Sequence, residues 1–77
     1  MSWKSEIEAL EALGKAVASR RLKLDLSQEE AAFRADIHRS YLGDVENGKR
    51  NLSFKNLRKI AKALEISLAD LFKAAKL

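Results

Sequence analysis

The sequence predicts an all-α domain of five helices, and three observations carry that reading. Helix breakers are nearly absent: the chain has no proline and only three glycines. Apolar residues recur at helical spacing, as in Leu57, Ile60, Ala61 and Leu64. Serines sit where helices should begin, with Ser27 and Glu30 forming an S-x-x-E capping box. A chain of 77 residues has room for one domain, residues 1–77, around a single modest core.

The first helix is expected from Trp3 to about Lys23, on the spacing of Ile7, Leu10, Leu13, Val17 and Leu24. Trp3 should anchor this helix or touch a second subunit. Gly14 costs roughly 1 kcal/mol against alanine in mid-helix. It therefore marks a close helix crossing, or the joint where an N-terminal helical extension (residues 1–12) meets the domain. Leu24-Asp25-Leu26 makes the first connection. Helix two runs from Gln28 to about Ala35 and buries Ala31 and Ala32. Asp36 takes the sharp reversal, since aspartate tolerates a left-handed backbone better than most residues, and Ile37 plugs the core. Helix three runs from about Arg39 to Asn47 with Leu42 and Val45 inward, and Gly48 closes it. Lys49 to Leu52 is a basic loop. Ser53 starts helix four. Ser67 with Asp70 resembles a second capping box and starts helix five, Leu68 to about Ala75, whose apolar side is Leu68, Leu71 and Phe72.

Several function classes are excluded. Without cysteine there is no disulfide or thiolate site, and the lone His38 cannot build a zinc site. No nucleophile–base constellation, paired carboxylates or phosphate-binding glycine loop is present, so neither enzymatic activity nor a cofactor is expected. No apolar run reaches membrane-spanning length and no signal-peptide core opens the chain, which points to the cytoplasm. The net charge of +4 is compatible with nucleic acid but says little alone.

The distribution of polar residues says more. Packing helices two and three across the Asp36 turn, over residues 28–47, leaves Arg39, Ser40, Gly43 and Asp44 facing out, with Tyr41 and Asn47 at the flanks. A helix packed on one side and polar on the other suits the major groove of duplex DNA. Arginine forks onto guanine O6 and N7. Serine bonds several base edges, and aspartate accepts from a cytosine amine or holds Arg39 in place. Gly43 removes bulk so that the helix sits deep. Phosphate contacts are expected from Gln28 at a helix N-terminus, and from Asn47, Lys49, Arg50, Asn51, Lys55 and Asn56 at the rims. His38 is read as a helix-three cap, and Arg58, Lys59 and Lys62 as a solvated face.

The run S-Q-E-E-A-A through V-E-N-G-K-R resembles the helix-turn-helix domain of lambdoid phage repressors and Cro proteins. Through H-R-S-Y-L-G-D-V-E-N-G-K-R-N-L-S it is most similar to the small controller proteins of restriction–modification systems. The resemblance spans roughly residues 13–72 and implies a lambda-repressor-like fold. It implies base-facing positions at Arg39, Ser40 and Asp44, and backbone-contacting ones at Gln28, Tyr41 and Asn51, with Arg50 near the DNA. It also implies a partly buried salt bridge between Arg21 and Glu46, and a symmetric homodimer through helices four and five, where Phe54, Leu68 and Phe72 are the candidate contacts. The family often has leucine at the position of Ala31 and glycine at that of Asp36. The expected function is sequence-specific transcriptional regulation, as repressor or activator, on a pseudo-palindromic operator. No membrane or small-molecule effector is expected. The alternatives are an antitoxin-type regulator that also binds a toxin, and a protein-interaction module that has lost DNA binding.

Overall fold

A computed structural model describes residues 3–77. Five helices follow in order: α1 (Glu6–Lys23), α2 (Gln28–Ala35), α3 (Arg39–Glu46), α4 (Phe54–Ala63) and α5 (Leu68–Ala74). No strand occurs among the described residues.

Serine side chains decide where four of the helices start. Ser5 and Ser27 form reciprocal boxes with Glu8 and Glu30, each satisfying two otherwise free backbone or side-chain groups. Hydrogen bonds from Ser5 and Ser27 hold both glutamates below the usual carboxylate range. The Ser5 box, S-E-I-E, moves the start of α1 to Glu6, so Trp3 lies outside the helix. Ser53 and Ser67 accept single bonds from the backbone N–H of Asn56 and Asp70, at 3.1 and 3.0 Å. The expected second box is thus one-sided: the aspartate side chain is one methylene shorter than glutamate and makes no return bond. His38 occupies the N-cap of α3 without a side-chain capping bond.

The helices stop by one device. Each is followed by a residue with positive φ: Asp25, Asp36, Gly48, Glu65 and Lys76. The next residue's N–H then reaches back to a carbonyl of the last turn, as in Ile37 to Ala32 at 3.0 Å and Ile66 to Ala61 at 3.1 Å. Only Gly48 lacks a Cβ there. Asn47 lies outside α3 as its C-cap.

Val17, Leu42, Val45, Ile60, Leu64 and Leu71 are the largest fully buried side chains. Each contributes about 1.5–3 kcal/mol by leaving water. They come from α1, α3, α4, the end of α4 and α5, so one core joins the elements. Ala31, Ala32 and Ala35 line the buried side of α2. Beside Ala31 lies a void too narrow for water, lined by Val17, Ala35, Leu42 and Ile60.

The N-terminal turns of α1 depart from the periodicity. Ile7 is 70% exposed and Trp3 86%, because no other element packs against them. Trp3 therefore anchors nothing within the chain. Gly14 instead marks a helix crossing. A Cβ there would stand 2.4 Å from the Val45 carbonyl oxygen and 2.6 Å from that of Glu46. The obstacle is the backbone of α3, which cannot swing aside.

Two stability measurements follow. Gly14→Ala should cost about 1–3 kcal/mol, as overpacking does, despite alanine's better helix propensity. A thermal midpoint at or above that of the wild type would mean the α1–α3 crossing is looser than described. Glu65→Gly should raise the midpoint, since a non-glycine residue held left-handed costs roughly 1–3 kcal/mol. A lowered midpoint would show that the Glu65 side chain contributes more than its backbone strain removes.

Candidate nucleic-acid interface

The α2–α3 reversal is built on Asp36, at φ 56 and ψ 49. Its N–H reaches the Phe33 carbonyl at 3.2 Å, and the Ile37 N–H that of Ala32 at 3.0 Å. Ile37 is half-buried against the core. Beyond it, Leu42 and Val45 fall inward at 1% exposure each, which turns the opposite side of α3 to solvent. Arg39 and Ser40 are exposed there, and Gly43 and Asp44 half-exposed. A Cβ on Gly43 would meet only the Gln28 side-chain amide, Oε1 at 3.8 Å and Nε2 at 4.0 Å, both ordinary contacts, so packing does not require glycine at that position.

Behind this surface lies a polar cluster. Arg21 donates through Nε to Glu46 Oε2 at 2.7 Å and through Nη2 to Oε1 at 3.0 Å. Its Nη1 donates to the Leu26 carbonyl at 2.8 Å. Gln28 Nε2 donates to Glu46 Oε1 at 2.9 Å. The Arg21 and Glu46 side chains are 12% and 6% exposed. The hydrogen bonds it donates to Glu46 push the Arg21 guanidinium above its ordinary range, while burial pulls the other way. The bridge thus joins α1 to α3 and draws in the first residue of α2. Gln28, expected to face phosphate, has one amide hydrogen committed to Glu46; its other hydrogen and its helix-terminal backbone N–H are the groups left for an anion.

A second network lies on the outer face. Asn56 Nδ2 donates to the Tyr41 hydroxyl at 3.1 Å. The Arg50 guanidinium carbon stands 4.9 Å from the Tyr41 ring centroid. Arg50 Nη2 donates to Asp44 Oδ2 at 3.3 Å. Asp44 therefore pairs with Arg50, not with Arg39 as one expectation had it, because the loop after α3 folds back beside it. Arg39 makes no ion pair among the described residues. Asn47, Lys49, Asn51 and Lys55 are exposed around the same surface.

Sequence reasoning missed two features. Arg20 donates to the carbonyls of Leu64 and Glu65 at 2.8 and 2.9 Å, closing the end of α4. The only available signal was a second arginine beside Arg21. Phe33 projects from α2 at 86% exposure, opposite a buried side made of Ala31, Ala32 and Ala35. Lys59, read as part of a solvated face, is half-buried with its Nζ 3.9 Å from Asp36 Oδ2; Arg58 and Lys62 are exposed. Phe54 is 68% exposed, while Leu68 and Phe72 are half-buried against the chain's own core. Among the described residues there is no metal-ligating cluster, and no helix is long and apolar enough to cross a membrane.

A family model described as helix-turn-helix matches residues 17–71. The control protein C.MunI of a Mycoplasma species is 51% identical over 53 residues, 69% of this chain and 72% of that protein. The control protein C.BamHI of Bacillus amyloliquefaciens is 49% identical over 49 residues, 64% of this chain; the match spans 60% of that protein's length. Among solved structures, the restriction-modification controller protein C.AhdI of Aeromonas hydrophila superposes with a TM-score of 0.80 at 43% identity. That match covers 82% of this chain and 96% of that one. The clp gene regulator ClgR of Corynebacterium glutamicum gives 0.85 at 31% identity, covering 88% and 72%.

The partly buried cluster bears directly on stability. Glu46→Ala strands the Arg21 charge and one Gln28 donor, which should cost about 3–5 kcal/mol. The total stability of a chain this size is roughly 4–12 kcal/mol, so the variant should lose a large share of its stability and melt well below the wild type. Replacing both partners with apolar residues, Arg21→Met with Glu46→Leu, should recover most of the loss. Equal melting of Glu46→Ala and wild type would refute the assignment.

Proposed function

The chain belongs to the helix-turn-helix family, and we propose that it is a transcriptional regulator of the restriction–modification controller type, binding a pseudo-palindromic operator as a homodimer. The carrying observation is the outward face of α3. Arg39 and Ser40 stand exposed, while Leu42 and Val45 are sealed inside. Named relatives of this chain are control proteins, which supports regulation over catalysis.

In this reading α3 enters the major groove. Arg39 forks onto a guanine, and Ser40 supplies a short hydrogen-bonding group to a neighbouring base edge. Gln28, Tyr41, Asn47, Lys49, Arg50, Asn51, Lys55 and Asn56 ring that face and take the phosphates, fixing register without reading sequence. Homodimerisation is supported by the exposed Phe54 beside Ile66 and Leu68, an apolar floor walled by Lys55, Arg58 and Lys62. Two-fold symmetry would set the recognition helices about 34–36 Å apart, one helical turn of DNA. The likeness to ClgR favours a second reading, in which the same DNA-binding act serves a promoter unconnected with restriction.

Selection of bound sites from random duplexes should recover a palindrome with half-sites one turn apart, and sedimentation should show a dimer at micromolar concentration. Recovery of no enriched sequence, or of a lone half-site bound by a monomer, would sink the reading. Arg39→Ala should lose about 1–3 kcal/mol per half-site and relax preference at one base pair. Unchanged affinity and unchanged preference would show that Arg39 does not reach the bases.

A further inference from the structure

Between Arg39 and Asn56 the chain carries only two carboxylates, Asp44 and Glu46. Glu46 is turned inward to Arg21. Asp44 is left on a face otherwise made of cationic and neutral polar groups. A negative charge there opposes any approach of phosphate. Affinity alone gives no reason for it.

Its partner supplies one. Asp44 Oδ2 lies 3.3 Å from Arg50 Nη2, and the Arg50 guanidinium also stands over the Tyr41 ring at 4.9 Å. The ring is itself held, since its hydroxyl accepts from Asn56 on α4 at 3.1 Å. The backbone is tied as well: the Lys49 N–H donates to the Asp44 carbonyl at 2.8 Å, which folds the Arg50 loop back against the end of α3. A long, rotamer-rich side chain in an exposed loop is thereby confined between a carboxylate and an aromatic face. Both side chains of the pair remain about half-exposed, so the bond itself is weak and its effect is orientation.

We propose that Asp44 is a positioning residue that sets DNA specificity by orienting Arg50 against Tyr41. This rests on the reading of the α3 face as a DNA surface. In a sequence-matched complex the base contacts seat α3 in one position, the pair stays together and Arg50 reaches its phosphate already ordered. The arginine reads no base, and discrimination lies in that contact forming only in the seated geometry. In a loose complex on unrelated DNA no side chain needs that orientation, and Asp44 only repels. The aspartate therefore lowers affinity for all duplexes and recovers it on the right one. A pair that merely competed with DNA for Arg50 would weaken both kinds of complex and leave the ratio no better.

The test compares wild type, Asp44→Asn, Arg50→Ala and the double variant on two probes. One is the duplex enriched from a random pool by the wild type, and the other a scrambled duplex of the same composition. Asp44→Asn should bind the scrambled duplex more tightly, with the difference shrinking at high salt. Its ratio of affinities for enriched over scrambled duplex should fall about two- to ten-fold, the worth of pre-ordering one long side chain. In the Arg50→Ala background the same substitution should leave the ratio unchanged. An unchanged ratio in Asp44→Asn alone overturns the proposal. So does an equal fall without Arg50, which would make Asp44 a base reader in its own right. If the wild type enriches no sequence, the DNA reading fails and takes this inference with it. If it does enrich one, an unchanged ratio removes only the role of Asp44.

Discussion

The fork between Arg21 and Glu46 governs where α3 stands. Two charges removed from most of their water are costly unless every remaining polar atom is matched. Here the match is good: the guanidinium is bonded by both carboxylate oxygens and by the Leu26 carbonyl, and Glu46 takes a further bond from Gln28. Apolar packing along α1 and α3 tolerates sliding and rotation, whereas a planar fork does not. The bridge fixes α3 against α1 in both respects, and the contact at Gly14 fixes their separation.

The inward turn of Glu46 also shapes the outer charge. Its carboxylate is neutralised where DNA cannot meet it, and Arg39, Lys49 and Lys55 are left exposed around α3. Glu6 and Glu8 of α1 and Glu29 and Glu30 of α2 lie at helix starts instead, with Glu8 and Glu30 bonded to their caps. The modest net charge of +4 therefore understates the local asymmetry that a polyanion would meet.

The parts of the fold set by local chemistry were legible in the sequence. The Ser27 box, the reversal at Asp36 and the inward pair Leu42 and Val45 each follow from residues a few positions apart, and the structure has them where they were expected. The boundary errors are also local. The Ser5–Glu8 box lay in plain view, but the apolar spacing of Ile7 and Leu10 drew the helix start back to Trp3. What sequence could not supply was partnership between residues distant in the chain. Nothing near Asp44 distinguishes Arg39 from Arg50 as its mate; the path of the loop after Gly48 decides it. The destination of Arg20, 44 residues away at the Leu64 carbonyl, is likewise set by the packing of α1 beside the end of α4. Of the proposed DNA surface, the α3 face was readable from helical spacing. The commitment of Gln28 to Glu46 was not.

Arg20 and Arg21 are adjacent on α1 yet reach opposite ways, one to the carbonyls that close α4 and one to the carboxylate of α3. The first helix thus acts as a strut bolted at neighbouring points to both halves of the molecule. The α4–α5 corner and α3 cannot shift relative to each other without breaking one of these attachments. If two such bodies associate through that corner, the gauge between their reading heads is set at assembly, and any mismatch in pitch falls on the double helix, which must bend or twist to comply.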